Sequence, residues 1–340
     1  MKRVAVKFLL VVTLATIVTM HAAGFSYAAA LVEKHLIVIA APSIGDTRDD
    51  QFYAEIYQGI IEFDIAYANA VWGHDEVRIV VDEETRHYFT GRVPEEILID
   101  AKVPHIWMRD FTTINPYRPV QFRYTAASFE GDQSEADYMQ DGFNAFTAEH
   151  GFAYSKANYF LDGGNIVDNY AGRIVTTERF LEDNNLSKEE GKEVLKRLLD
   201  ADEVAILPPD EDILAHSDGM VMFVEDDTIV VNRYDEPLRT EILGELRAAF
   251  PGIKIVEVEA DWDEDGSACG INVNATVTAN YIYMPHFGNK ASDDALKTIR
   301  AHTIKTVIPV PANNVCKLGG SVRCLTWQLG DEQARELIGY

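Results

Sequence analysis

The sequence predicts an α/β fold, a closed propeller built from a repeated strand–strand–helix–strand unit. Three observations predict it. The order of elements recurs about every 53 residues, a period typical of repeat architectures. Each strand pair has turn residues inside it, so it reads as a hairpin. Finally, an apolar run near each end of the chain is placed to pair with the other and close a ring. A doubly wound parallel sheet fits less well, because parallel neighbours need crossovers and not hairpins.

The elements follow in order. The run 36–41 reads as a buried strand. Phe52, Ile56, Ile60, Phe63 and Tyr67 recur at helical spacing, and residues 77–81 then read as a strand. Ser187 with Glu190 makes a capping box that opens a helix to about Leu199, followed by a strand over 204–207. A helix over 238–250 stops at Pro251 and Gly252, and a strand follows over 253–258. Ser292 is placed to cap a helix to about His302, before a strand over 306–310. Hairpin pairs precede three of these helices: 166–167 with 174–177, 220–224 with 228–231, and 273–277 with 281–284. Asn169 with Gly172, Asp226 with Asp227, and Asn280 supply the turns. A last strand over 322–327 completes the set. No low-complexity linker interrupts the chain, so residues 31–340 read as a single domain.

Residues 1–30 read as a signal peptide. Lys2, Arg3 and Lys7 precede the apolar run 8–20, interrupted only by threonines, and Ala28, Ala29 and Ala30 follow. Thirteen residues are short for a bilayer span, so export to the periplasm or medium without stable membrane insertion is expected. Loss of this segment takes the formal net charge from −25 to −28. Such a surface repels phosphate backbones and excludes nucleic acid as a partner, while drawing in small cations. The three cysteines are odd in number. In an oxidising compartment Cys269 and Cys316 can pair, leaving Cys324 as a free thiol.

Polar clusters fall at matching places in successive units. They are 107–110, 162–165, 216–219, Asn272 with Asn274, and Gly319 and Gly320 with Cys324. From Asp110 the steps to Asn165, Asp218, Asn274 and Cys324 are 55, 53, 56 and 50 residues. In a pseudo-symmetric ring these positions converge on one central pocket. The contents suit a guanidinium, which is planar, permanently charged and rich in N–H donors. Asp110 and Asp218 are placed to grip its edges, Cys324 to act as nucleophile, and His216 as general acid and base. Trp107 suits the face of the cation, and Gly163, Gly164, Gly319 and Gly320 allow close backbone approach.

These motifs resemble those of the agmatine deiminase and Porphyromonas-type peptidylarginine deiminase family. The resemblance rests on Trp107-Met108-Arg109-Asp110, Asp162-Gly163-Gly164-Asn165, His216-Ser217-Asp218, Asn274 eleven residues before Pro285, and residues 319–324, and covers about 35–330. It implies a five-bladed α/β propeller, the pentein fold, and catalysis without a metal or organic cofactor. It also implies that Cys324 carries a covalent amidino-thioether while Asp162, Asn165, Asp212, Asn274 and Gly320 help form the substrate pocket. Departures are Asp162 for an expected Glu, Ala215 for an expected Gly, and Ala126 and Ser128 where an arginine pair would hold a substrate carboxylate. The substrate is agmatine, giving N-carbamoylputrescine, or free or peptidyl arginine, giving citrulline. The acidic stretch Glu130, Asp132, Glu135 and Asp137 suits agmatine's second cation. Alternatives are an amidinotransferase of the same fold and an exported binding protein for cationic amines. A partial calcium loop begins at Asp261, but Asn272 stands at its twelfth position.

Overall fold

The computed structural model describes residues 33–43, 56–261 and 267–338. The expected signal peptide, Phe52, and the centre of the partial calcium loop at 262–266 lie outside them. Strand β1 (Leu36–Ala40) is entirely buried and apolar, the pattern of a strand covered on both faces. Helix α1 (Tyr57–Val71) then crosses over to β2 (Glu76–Val81), which lies parallel to β1, and β3 (Leu98–Asp100) extends the sheet. After the one-turn helix α2 (Met108–Phe111), β4 (Val120–Arg123), α3 (Gln133–Glu149) and β5 (Ser155–Phe160) form a parallel pair.

Three fuller units follow. The first contains β6 (Val167–Asp168), β7 (Arg173–Thr177), α4 (Arg179–Asn184), α5 (Lys188–Leu199) and β8 (Glu203–Leu207). The next contains β9 (Val221–Glu225), β10 (Thr228–Asn232), α6 (Leu238–Ala249) and β11 (Lys254–Val258). The last contains β12 (Thr276–Val277), β13 (Tyr281–His286), α7 (Lys290–Arg300) and β14 (Thr306–Pro311). In each, an antiparallel hairpin is extended by a parallel strand after a helical crossover. Strand β15 (Trp327–Leu329) precedes the terminal helix α8 (Asp331–Ile338) and pairs antiparallel with β1. The first sheet therefore has the same plan, its leading hairpin strand supplied from the C-terminal end. An antiparallel bridge between Ile114 and Val120 is the remnant of that hairpin in the second sheet.

Five sheets result, and the helices join them in cyclic order. Helix α6 packs on β8 of the preceding unit, and α1 packs on β14 of the last. Ile60, Phe63 and Tyr67 of α1 accordingly share one core with Ile37 and Ile79 of the first sheet and with Tyr283 and Val310 of the fifth. Burial of such side chains contributes roughly 1.5–3 kcal/mol each.

Local expectations needed two corrections. The part of the helix expected from Phe52 that lies within the described residues forms α1. Asn289, not Ser292, caps α7, its side chain accepting from Ser292 N, while the Ser292 hydroxyl turns inward to accept from Phe287 N. The final strand starts at Trp327, because Asn274 Oδ1 captures the backbone N–H groups of Arg323 and Cys324 and withholds them from any ladder. The capping box of Ser187 and Glu190 forms as read.

Candidate active site

Each polar cluster lies on the turn or short helix that leads into the first strand of its unit, and hydrogen bonds join successive clusters. Gly164 N donates to Asp110 Oδ1 at 3.1 Å, and Ser217 N donates to Asn165 Oδ1 at 3.3 Å. Asn274 Nδ2 donates to the Asp218 carbonyl at 3.3 Å and lies 3.1 Å from Cys324 Sγ. Arg109 N donates to the Cys324 carbonyl at 3.1 Å, so the series returns to its first member. The spacing of about 53 residues thus becomes a ring of contacts around one cavity of about 690 Å³. Trp107, Asp110, His216, Asp218, Asn274 and Cys324 all line it.

Three other expected residues stand one layer back. Asp162 accepts from Thr125 N and Thr125 Oγ1, both at 2.8 Å, and its Oδ2 lies 3.1 Å from His216 Nε2. It holds the imidazole and does not line the cavity. Asn165 Oδ1 also accepts from Thr177 N, fixing the turn that carries His216. Gly320 lies behind Trp107 and Cys324, where a Cβ would come within 2.4 Å of the indole and 2.9 Å of Cys324 Cβ. The glycines therefore allow the clusters to approach one another more than they admit a substrate. At Gly164 a Cβ would lie 2.5 Å from His216 Nδ1 and 2.8 Å from Asp110 Oδ1.

Asp212 is not in this group. It is exposed and lines a neighbouring cavity, while Asp210 and Glu211 line the central one. Asp210 Oδ2 accepts from Tyr234 OH at 2.6 Å, and Glu211 accepts from the backbone N–H groups of Ile213, Leu214 and Ala215. These backbone bonds turn Glu211 towards its own loop, and spacing alone gave no sign of that. Tyr234 stands outside every motif, so sequence reading had no signal for it. The acidic stretch is also elsewhere: Asp132 caps α3 by accepting from Ser134 N, and Glu130 lines the neighbouring cavity. Arg118 pairs with Asp200, and Arg123 lies over the Phe160 ring at 4.1 Å, so neither enters the central cavity. Asn272 turns its Nδ2 towards the carbonyls of Glu259 and Gly270.

The expected departure at Ala215 has a visible consequence. Its φ is 51°, in the left-handed region that glycine adopts freely and alanine adopts at a cost of roughly 1 kcal/mol. The cost is tolerated immediately before His216, where the surrounding hydrogen bonds fix the turn.

The electrostatics of the cavity follow from burial and proximity. Burial alone would lower His216, but the Asp110 charge, the hydrogen bond to Asp162 and the Asp218 charge together push it up to about 10. That direction favours an imidazolium at neutral pH, with Nε2 donating to Asp162 Oδ2 at 3.1 Å and Nδ1 standing 3.8 Å from Asp110 Oδ1. Burial raises Asp110 despite His216 beside it, and burial also raises Asp218, with Arg323 chief among the groups that oppose the rise. Burial pushes the Cys324 thiol well up, and the Asp218 and Asp110 charges push the same way. Among protein groups alone Cys324 is therefore a thiol, and a cation set between the two carboxylates removes two of the three causes. Cys269 and Cys316 form a disulfide, leaving Cys324 free and buried. The bridge ties the loop at Ala268 to that at Leu318 and Gly319, all of which line the cavity.

Comparison with known proteins agrees with this geometry. The model of the Porphyromonas-type peptidyl-arginine deiminase family matches residues 29–329. A Marinomonas protein named "Putative agmatine deiminase" is 24% identical, over 86% of this chain and 92% of its own. One of the same name from Mycoplasma capricolum is 27% identical, over 77% and 85%. The structure of Campylobacter jejuni agmatine deiminase superposes with a TM-score of 0.70 at 19% identity, covering 88% of this chain and 94% of that one. The Enterococcus faecalis agmatine deiminase structure gives 0.71 at 18% identity, covering 88% and 94%. These structural likenesses show a shared α/β pentein fold.

Proposed function

Because the chain belongs to the Porphyromonas-type peptidyl-arginine deiminase family, we propose that it hydrolyses agmatine to N-carbamoylputrescine and ammonia through a covalent adduct on Cys324. Hydrolysis of a guanidino group is the chemistry of its relatives. The observation that carries the reading is the convergence of Cys324, Asp110 and the pair His216 and Asp218, from three separate units, on one cavity. The cyclic packing and hydrogen bonding support a five-bladed propeller whose axis passes through that cavity.

Asp110 and Asp218 bind the guanidinium edges, and Trp107 offers its ring to the cation. The bound positive charge offsets the carboxylates that oppose ionisation of Cys324, whose proton passes to solvent. The thiolate attacks the guanidinium carbon, with the Asn274 amide N–H close to the sulfur. His216 gives a proton to the departing nitrogen, which leaves as ammonia. It then takes a proton from water, whose oxygen attacks the amidino-thioether carbon. The carbon–sulfur bond breaks as the added hydroxyl forms the carbonyl and loses its proton to solvent, leaving the ureido product and the thiolate.

The described lining of the cavity supports agmatine as the substrate. It contains Asp110, Asp210, Glu211 and Asp218 but neither Lys nor Arg. An α-carboxylate would meet acids and neither Lys nor Arg, whereas the amine of agmatine would find Asp210 and Glu211. Export belongs to the same proposal, supported by the apolar run near the N-terminus and by a disulfide, which persists in oxidising compartments.

The test is a panel of agmatine, free arginine, and peptides with internal or C-terminal arginine, assayed for ammonia and ureido product without any added amine. Agmatine is expected to give the highest kcat/KM, and Cys324→Ala to bind it without forming either product. Full turnover by Cys324→Ala would remove the nucleophile assignment. A preference for peptides would replace the substrate, a requirement for an amine acceptor would indicate an amidinotransferase, and binding without turnover by the wild type would indicate a binding protein.

A further inference from the structure

One charged side chain at the site has no part in the chemistry above. Arg323 directly precedes the nucleophile, is 5% exposed and does not line the cavity. Its Nε lies 3.4 Å from Asp218 Oδ2, and neither atom has a hydrogen-bond partner. Its Nη2 donates to the Ile166 carbonyl at 2.6 Å, and its backbone N donates to Asn274 Oδ1 at 3.2 Å. The guanidinium is thus held from two sides by elements of other units.

We propose that Arg323 is a positioning residue that supports Asp218 from behind, keeping its carboxylate ionised and directed at the substrate cation. The proposal rests on the guanidinium-binding role given to Asp218 above. Asp218 is 1% exposed, so without a cation burial would favour its neutral form, which binds a guanidinium poorly. The charged and titratable groups facing it are Arg323 and Cys324 from the C-terminal cluster, Arg109 and Asp110 from the first, and its own neighbour His216. Arg323 is its ion-pair partner within 4.0 Å among the described residues. Arg109 is also buried, but its Nε and Nη2 have no hydrogen-bond partner, so it adds charge without a directed contact. The contact to Asp218 is long and lacks a hydrogen bond, which leaves the carboxylate able to turn towards a second cation. A tighter pair would compete with the substrate.

The experiment compares Arg323→Gln and Arg323→Lys with the unsubstituted protein. Agmatine kinetics are measured from pH 5 to 9, and guanidinium-ion binding is measured calorimetrically with Cys324→Ala in each background. Arg323→Gln is expected to weaken guanidinium binding by up to about tenfold on the acid side of the profile and by less at neutral pH, as a shift of about one pKa unit in Asp218 requires. The acid limb of kcat/KM should move up by about that unit, with KM changing more than kcat. Arg323→Lys should restore the acid limb and return affinity to within about threefold. A purely structural role would lower the melting temperature and leave the acid limb in place. Unchanged affinity and acid limb in folded Arg323→Gln would overturn the proposal. If that variant does not fold, Arg323→Lys decides, and an acid limb displaced by about a unit overturns the proposal. Failure of the wild type to release ammonia would reject the deiminase reading, while the binding measurements would still decide whether Arg323 supports Asp218. No guanidinium binding by Cys324→Ala in the Arg323 background would overturn both.

Discussion

Adding one methyl group at Gly164 tests the geometry of the site with little change to the fold. Gly164 has no positive φ, so alanine meets no backbone penalty there. The conflict is with side chains: the new Cβ would sit 2.5 Å from His216 Nδ1, 2.8 Å from Asp110 Oδ1 and 3.1 Å from His216 Cε1. Restoring an ordinary separation of about 3.5 Å moves the imidazole by about 1 Å. A displacement of that size in a catalytic group costs on the order of 10²-fold in rate. Overpacking of this kind costs about 1–3 kcal/mol, less than the stability of a typical domain. Gly164→Ala should therefore fold, melt a few degrees lower, and lose about 10²-fold in kcat for agmatine. Ureido product is measured colorimetrically, with ammonia release as a second readout. Gly244→Ala is the control, because nothing lies within 4 Å of its Cβ and it sits in helix α6. It should leave kcat unchanged and raise stability by up to about 1 kcal/mol. A folded Gly164→Ala enzyme with activity within about twofold of wild type would refute a role for His216 that depends on its present position.

Two further predictions follow from the charges and the disulfide. Asp162→Asn removes a carboxylate 3.1 Å from His216 Nε2, so the alkaline limb of the pH–rate profile should move down by about one to two units. His216 is raised above its unfolded value, so its stabilisation is full below about pH 6.5 and is lost as pH rises to about 10. The melting-temperature gap between wild type and Asp162→Asn should accordingly close towards pH 10, and a gap that widens there would contradict the assignment. Replacing Cys269 and Cys316 together with serine opens a loop of 47 residues, a loss of about 4 kcal/mol by the loop-entropy relation. It also frees the cavity-lining loops at Ala268 and Leu318, so KM for agmatine should rise. An unchanged melting temperature and KM would show that the bridge does not constrain the site.

Much of the site was legible because it repeats. Asp110, His216, Asp218, Asn274 and Cys324 occupy corresponding positions in successive units, and any closed arrangement of those units brings them together. Asp212 was misplaced because in a loop the offset from His216 does not fix direction: Asp210 and Glu211 line the central cavity and Asp212 lines the neighbouring one. Asp162 was expected to line the substrate pocket, and only packing shows that it stands behind the cavity against Thr125 and His216.

By itself the sequence determined the repeat, the strand and helix order and the reactive residue types, because periodicity and composition are local properties of the chain; the pairing of Cys269 with Cys316 needed their three-dimensional proximity. Tertiary structure decided which carboxylate faces the cavity, which one holds the imidazole, and that Arg323 stands behind Asp218. It also decided that burial and two neighbouring carboxylates push the Cys324 thiol up. These depend on distance and burial between groups some 50 residues or more apart, where Coulomb energy and desolvation vary steeply with position.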